Sequence, residues 1–154
     1  MLVHKPADSM VLTRVCLVLL GVVLTSPPLL RAQGELPSIV RRGLGDLAAG
    51  RPDTAFALWA SSEAFGADER SQILQSVPMY KQACDKPRGY DVIRVVAVGR
   101  HVQRVFATLL CEVRPVYLMV AAYQGGTTWG ITALNWSTDP DKILPPSLVP
   151  TQRP

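Results

Sequence analysis

The fold is decided by four extended segments that follow one another in the second half of the chain: YDVIRVVAV (90–98), VQRVFATLLCE (102–112), VYLMVAAYQ (116–124) and TWGITALNWS (128–137). β-Branched and aromatic residues are frequent in each segment, as is typical of strands. The short breaks between them contain Gly99-Arg100-His101, Arg114-Pro115 and Gly125-Gly126. Connections this short join antiparallel strands, because a parallel crossover needs a dozen or more residues. The stretch therefore predicts a four-stranded antiparallel sheet.

The third of these segments is apolar on both sides. Tyr117, Met119 and Ala121 alternate with a second apolar set, which comprises Val116, Leu118 and Val120. A strand that is apolar on both faces must be covered on both faces. Helices can cover one of them, and the other needs a partner subunit or a terminal segment of the chain. We predict a homodimer formed through the sheet.

The fourth segment alternates between an apolar and a more polar side, as a half-buried strand does. Trp129, Ile131 and Ala133 fall on one side of it. Thr128, Gly130 and Thr132 fall on the other. Leu134 and Trp136 break this alternation near the end of the strand.

Three helical segments precede the sheet. Residues 35–50 place apolar side chains at helical spacing, and a second helix is predicted over Thr54–Ser62. A third is predicted over Asp68–Cys84, where Pro78 is expected to kink or divide the helix near Ser76-Val77. Helices followed by antiparallel strands indicate an α+β fold with the helices on one face of the sheet.

The first 34 residues have the three parts of an export signal. Lys5 and Arg14 supply positive charge, Val15–Leu24 is apolar, and a proline pair ends the run. Cleavage is predicted before Glu35, so we expect a periplasmic or secreted protein whose leader alone meets the membrane. The alternative, an uncleaved anchor, would need about 20 apolar residues. Residues 35–145 then form one domain, followed by a proline-rich tail, residues 146–154. Asp139–Pro154 contains five prolines and is expected to be extended and partly disordered.

The charge balance argues against a nucleic-acid partner. The formal net charge is +4, and residues 1–34 contribute half of it because Lys5, Arg14 and Arg31 outweigh Asp8. Basic and acidic side chains are interspersed in the remainder of the chain. A surface so close to neutral offers no basic stripe for a phosphate backbone.

Two cysteines, Cys84 and Cys111, remain once the leader is removed. In an oxidising compartment they can form a disulfide across a separation of 27 residues, which would contribute about 3 kcal/mol to stability. The alternative is a pair of buried free thiols, since free cysteine packs like a small apolar residue.

The chain lacks the usual motifs for metal binding and nucleophilic catalysis. His101 falls in a predicted turn, His4 lies in the leader, and no Cys-x-x-Cys or Gly-x-Ser-x-Gly is present. We therefore expect no metal and no cofactor. General acid–base chemistry is the enzymatic hypothesis that survives, with Glu112 and Asp91 as the candidate bases. The alternative is that Arg104 and Glu112 belong to a solvated outer face.

Four aromatic residues are candidates for lining a pocket for a small apolar ligand: Trp59, Tyr80, Tyr123 and Trp129. Tyrosine is favoured for this role because its hydroxyl group needs a partner or water. The alternative is that all four pack in the core, as aromatic side chains usually do.

The helices around LWASSE at Leu58–Glu63, a third helix, and strands that close on WGITALNWSTDPDKILP at Trp129–Pro145 resemble the SnoaL-like group. This group belongs to the superfamily named after nuclear transport factor two, and the similarity covers Leu36–Pro145. The resemblance implies a cone of curved antiparallel sheet around helices, a pocket at its open end, and dimers across the outer sheet face. Its members include isomerases, dehydratases, hydrolases and non-enzymatic proteins, so it indicates shape and not chemistry.

The sequence thus favours an exported, non-catalytic domain that binds a small molecule or serves an accessory role. One alternative is an isomerase, dehydratase or hydrolase that uses Glu112 or Asp91 as its general base. Another is an envelope subunit that docks on a partner through its sheet face.

Overall fold

The computed structural model describes residues 35–149, so the predicted leader and residues 150–154 lie outside the described part of the chain. Within residues 35–149, no helix is long and apolar enough to cross a membrane. The elements are, in chain order, helices α1 (Ser38–Ala48), α2 (Pro52–Ala60), α3 (Ala67–Gln75) and α4 (Val77–Ala83), and strands β1 (Pro87–Ala97), β2 (Val102–Cys111), β3 (Val116–Gly125) and β4 (Thr128–Ser137).

Helices α1 and α2 pack closely because a glycine lies at their crossing. The Trp59 indole lies directly against Gly43, where any Cβ atom would overlap the ring. The indole Nε1 donates a hydrogen bond to the Ile39 carbonyl oxygen at 3.2 Å. Gly43 costs α1 some intrinsic helix propensity. In return, it allows a fully buried tryptophan to join the two helices.

The predicted third helix is divided where the sequence indicates. Helix α3 ends at Gln75 and α4 begins at Val77, with Pro78 in the first turn of α4. A proline is tolerated in a first turn because the N–H group it lacks would have no partner there. None of the side chains of α3 is buried, and the helix packs mainly on α2 and α4.

The four strands form one antiparallel sheet in the order β1-β2-β3-β4, which confirms the predicted α+β architecture. β1 and β4 are its two edges, and the sheet is not closed into a barrel. The helices cover the face that carries Val105, Leu118 and Ile131, which are fully buried. We call the opposite side the outer face.

A β-bulge in β4 explains why its alternation breaks. Ala121 pairs with Ala133 and Ala122 pairs with Ile131, so Thr132 is an extra residue without a direct partner. An extra residue shifts every later side chain to the opposite face. The residues placed on the helix-covered face are therefore Trp129, Ile131, Leu134 and Trp136.

The segment after β4 differs from the expected extended tail. Two short 3-10 helices occur there, at Pro140–Lys142 and Pro146–Leu148. The Asp139 carboxylate caps the first of them, because its Oδ1 accepts a hydrogen bond from Asp141 N at 3.1 Å. Leu144, between the two turns, is buried. The proline content of this segment predicts extended backbone. The Asp139 cap and the burial of Leu144 instead stabilise a folded conformation.

Candidate functional site

A groove of about 950 Å³ lies between helices α3 and α4 on one side and strand β4 on the other. Its apolar lining comprises Phe65, Ile73, Met79, Ala83, Met119, Ala133, Leu134, Trp136 and Ile143. Amide and hydroxyl side chains, among them Gln72, Gln82 and Asn135, alternate with these residues. An apolar surface with a few polar groups is the usual character of a ligand site.

The groove runs along the free edge of β4 and reaches the outer face of the sheet at Met119. Every residue from Thr132 to Thr138 lines it. Successive side chains of a strand point to opposite faces, so a groove that touches all of them must follow the edge. The order of the strands agrees, because β4 is the last strand on its side of the sheet.

The hydrogen-bond alternation of the sheet shows which backbone groups of β4 face the groove. Gln124 N donates to His101 O at 2.8 Å, so the even-numbered residues of β3 bond to β2 and its odd-numbered residues bond to β4. Asn135 is opposite the odd-numbered Met119 and therefore bonds inward. Leu134 and Trp136 then direct their N–H and C=O groups into the groove.

The helical wall of the groove presents apolar side chains that the sheet does not cover. Met79 is 61% exposed, and Ile73 is partly buried. Both line the groove, whereas Leu74, which is exposed on the same helix as Ile73, does not. The helix layer therefore extends beyond the edge of the sheet and leaves an apolar overhang next to β4.

The charged side chains in the groove are separated along its length. Arg114 and Lys142 lie near the Ser137 end, because Arg114 is in the β2–β3 turn and Lys142 follows β4 closely. Neither takes part in the ion pairs found among residues 35–149. Glu69 lines the groove from the first turn of α3, where its Oε2 accepts a hydrogen bond from Gly66 N at 2.9 Å.

Comparison of the chain with known protein families, curated proteins and solved structures finds no match. The resemblance to SnoaL-like proteins stays a prediction.

The two predicted carboxylate bases lie outside the groove. Glu112 pairs with Lys86 at 3.4 Å and with Arg88 at 3.2 Å on an exposed part of the surface. Asp91 is exposed on β1, at the opposite edge of the sheet from β4. His101 is exposed in the β1–β2 turn. Within residues 35–149, no three His, Cys, Asp or Glu side chains lie close enough together to hold a metal ion.

The four predicted pocket aromatics are distributed over three environments. Trp59 and Tyr80 belong to the core, Trp129 is half-buried against it, and Tyr123 is 48% exposed. The structure brings none of them into the groove. The sequence did not indicate that these four residues lie apart, because their separation results from how the helices pack on the sheet.

The aromatic residue that sequence reasoning missed is Trp136. It lines the groove, and its ring contacts Tyr80 edge-on with the ring centroids 5.6 Å apart. Tyr80 in turn packs on Phe56 at 5.3 Å. The out-of-phase position of Trp136 in β4 was the available signal, because a bulge places such a residue on the helix-covered face.

A disulfide joins the helical wall to the sheet. Cys84, the residue after α4, is bonded to Cys111 at the end of β2, and their Cα atoms are 5.3 Å apart. Cys111 precedes the turn that holds Arg114. The bond therefore fixes α4 against the sheet beside the positively charged end of the groove.

Proposed function

We propose that this chain is an exported, non-catalytic binding domain whose ligand occupies the groove along β4. The observation that carries the proposal is the groove itself, where Ile73, Met79 and Trp136 form apolar walls beside amide side chains and free backbone groups. Such a surface gains free energy when a ligand removes it from water, at roughly 25 cal/mol per Å² of apolar area.

The charges in the groove support binding and not catalysis. A general base needs a carboxylate or histidine within hydrogen-bonding reach of the substrate. The carboxylate in the groove, Glu69, already accepts the Gly66 N–H at the start of α3. Arg114 and Lys142 line the groove as well, and their side chains can attract an anionic group of a ligand.

Export is supported by two independent features. The first 34 residues have the order of charge, apolar run and small residues that signal peptidase requires. The Cys84–Cys111 disulfide belongs to an oxidising compartment, because cytosolic thiols are kept reduced. Mass analysis of the N-terminus of the exported protein tests this part, with Glu35 expected as the first residue. A mature chain that retains Val15–Leu24 would contradict it.

A second proposal concerns the outer face of the sheet. Phe106 and Ala121, at its centre, are already buried within the single chain, and the apolar surface that stays accessible on this face comes from Leu110, Tyr117 and Met119. This face supports docking on a second copy of the chain, in keeping with the dimers that the SnoaL-like resemblance implies.

The binding proposal is tested by a thermal-shift screen of small molecules and peptides on the protein purified after export. A ligand that binds the folded state alone raises the unfolding midpoint by mass action. Met79→Lys places a charge in the groove and should abolish the shift. Leu74→Lys is the matched control, because Leu74 is exposed on the neighbouring helix outside the groove. Binders that both variants retain equally would refute the proposed location.

A further inference from the structure

We propose that the occupant of the groove is an extended peptide segment of another protein, which adds to β4 as a fifth strand. This inference rests on the proposed function, and it specifies the chemical class of the ligand. The peptide has apolar side chains at alternate positions and a carboxylate at the end that lies near Ser137.

The free edge of β4 provides the backbone part of this recognition. Leu134 and Trp136 direct N–H and C=O groups into the groove, as derived from the alternation in the sheet. These groups require hydrogen-bond partners, and a second strand satisfies a donor and an acceptor at every second residue. Strand addition to an exposed edge is a general mode of peptide recognition in which backbone bonds supply affinity.

The helical overhang provides a cover for the added strand. A fifth strand would lie about 4.8 Å beyond β4. That position is beside Ile73 and Met79, which line the groove from the helical side. On the helix-covered side, alternate peptide side chains would bury these two residues together with Trp136. The unburied helix α3 thus acquires the partner that the four-stranded sheet does not offer it.

The overhang also decides between a single peptide and a second copy of this chain. Two copies paired edge to edge through β4 would each bring an α3 and α4 layer to the seam. A helix with its side chains is about 10 Å wide, which is twice the spacing of strands. In an antiparallel pairing, the two overhangs would lie on the same face and collide. A segment without a helical layer fits the edge without this collision.

The charged side chains of the groove indicate which end of the peptide carries its carboxylate. Arg114 and Lys142 lie at the Ser137 end and have no ion-pair partner within residues 35–149. A side-chain or terminal carboxylate of the peptide complements both. Exposed ion pairs contribute about 0.2–1 kcal/mol each. Losing one of these cations should therefore weaken binding by up to about fivefold.

The test uses an acetylated hexapeptide of alternating valine and threonine that ends in glutamate. Amide hydrogen exchange is measured on the exported protein with and without the peptide. The Leu134 and Trp136 amides should exchange freely in the free protein and slow by at least about tenfold with saturating peptide. A peptide N-methylated at alternate residues should not bind, because it cannot form the edge hydrogen bonds.

Charge variants provide the second arm of the test. Arg114→Gln and Lys142→Gln should each weaken peptide binding by about 1.4-fold to fivefold. Arg100→Gln, an exposed arginine in the β1–β2 turn, is the matched control and should leave the affinity unchanged. Equal affinity for all three variants would remove the charge part of the proposal.

Four results would overturn the inference. The first is binding of the N-methylated peptide, and the second is slow exchange of the Leu134 and Trp136 amides without peptide. The third is protection of these amides that increases with protein concentration. The fourth is binding of the apolar dye anilinonaphthalene sulfonate in the groove while both amides stay unprotected. The last result leaves the proposed function intact, because Met79→Lys would still abolish the dye's thermal shift. If neither the peptide nor any screened small molecule shifts the midpoint, both proposals fail together.

Discussion

The ring and the hydroxyl group of Tyr80 have opposite effects on stability. Its side chain is 1% exposed and contacts the Phe56 and Trp136 rings. Among the described residues, no group lies within hydrogen-bonding distance of its hydroxyl oxygen. A buried hydroxyl without a partner costs about 1–3 kcal/mol. The ring stabilises the core, whereas the hydroxyl group opposes that stabilisation.

We predict that Tyr80→Phe raises the free energy of unfolding by about 1 kcal/mol, because it removes the unpaired hydroxyl and keeps the ring. Urea unfolding of the two proteins measures the difference. Tyr123→Phe, at a tyrosine that is 48% exposed, is the control and should change stability little. A loss of stability in Tyr80→Phe would show that the hydroxyl group has a buried partner such as water.

The same variant should change the response to alkaline pH. Burial raises the pKa of the Tyr80 phenol above its ordinary value of 10.0. The folded state then holds this proton more tightly than the unfolded state does, so stability falls as the pH rises above the unfolded value. Tyr80→Phe should lose less stability than the wild type above that pH. Urea unfolding of the wild type and of Tyr80→Phe, measured below and above the unfolded pKa of tyrosine, tests this difference in stability.

At the scale of elements, the disulfide is the covalent link between the helical layer and the sheet. Reducing it should lower stability, because the unfolded chain regains the freedom of a 27-residue loop. The chain-entropy relation gives about 3–4 kcal/mol for a loop of this size. The effect should also reach the groove, since Cys84 directly follows α4.

We predict that the double variant Cys84→Ala and Cys111→Ala unfolds with about 3 kcal/mol less free energy than the wild type. It should also bind groove ligands more weakly. The wild type in a strong reductant is the matched control and should behave like the variant. Equal stability in oxidised and reduced wild type would mean that the bond does not form in solution.

The strands could be predicted from the sequence because alternation, β-branched residues and short glycine- or proline-containing breaks all agree there. Pro78 likewise indicated where the third helix divides. The groove could not be predicted, because it depends on how far the helices extend past β4. Leu134 and Trp136 looked like errors in a regular pattern, since a bulge is recognised only once the opposite strand is known. Gly43 lowers the helix propensity of α1, and the sequence alone does not show the reason for a glycine there, which is the Trp59 ring packed against it.

At the scale of the whole molecule, the outer face of the sheet is the second surface available for assembly. Four strands about 4.8 Å apart, with about ten residues each, present roughly 600 Å² on one face. A standard specific interface buries about 800 Å² per partner. Part of this area is already buried within the single chain at Phe106 and Ala121. The face therefore offers less than a standard interface, and a dimer held by it should be reversible.

We predict a reversible dimer in sedimentation velocity experiments, which dissociates on dilution. Tyr117→Lys should abolish it, because Tyr117 lies on the outer face between Thr108 and Ser137. Thr54→Lys, at an exposed position on α2, is the control and should leave the dimer intact. A wild-type protein that sediments as a monomer at every concentration would exclude this interface.

The extra residue at Thr132 acts on β4 as a single-base insertion acts on a reading frame. Everything before it is read in one phase and everything after it in the other, so the tryptophans at 129 and 136 end on the same side although seven positions separate them. A chimaera that kept every residue of β4 but paired them regularly, without the bulge, would lose this change of phase. Trp136 would then point to solvent and Asn135 towards the helices. Designers who exchange this segment must therefore conserve the bulge before the composition.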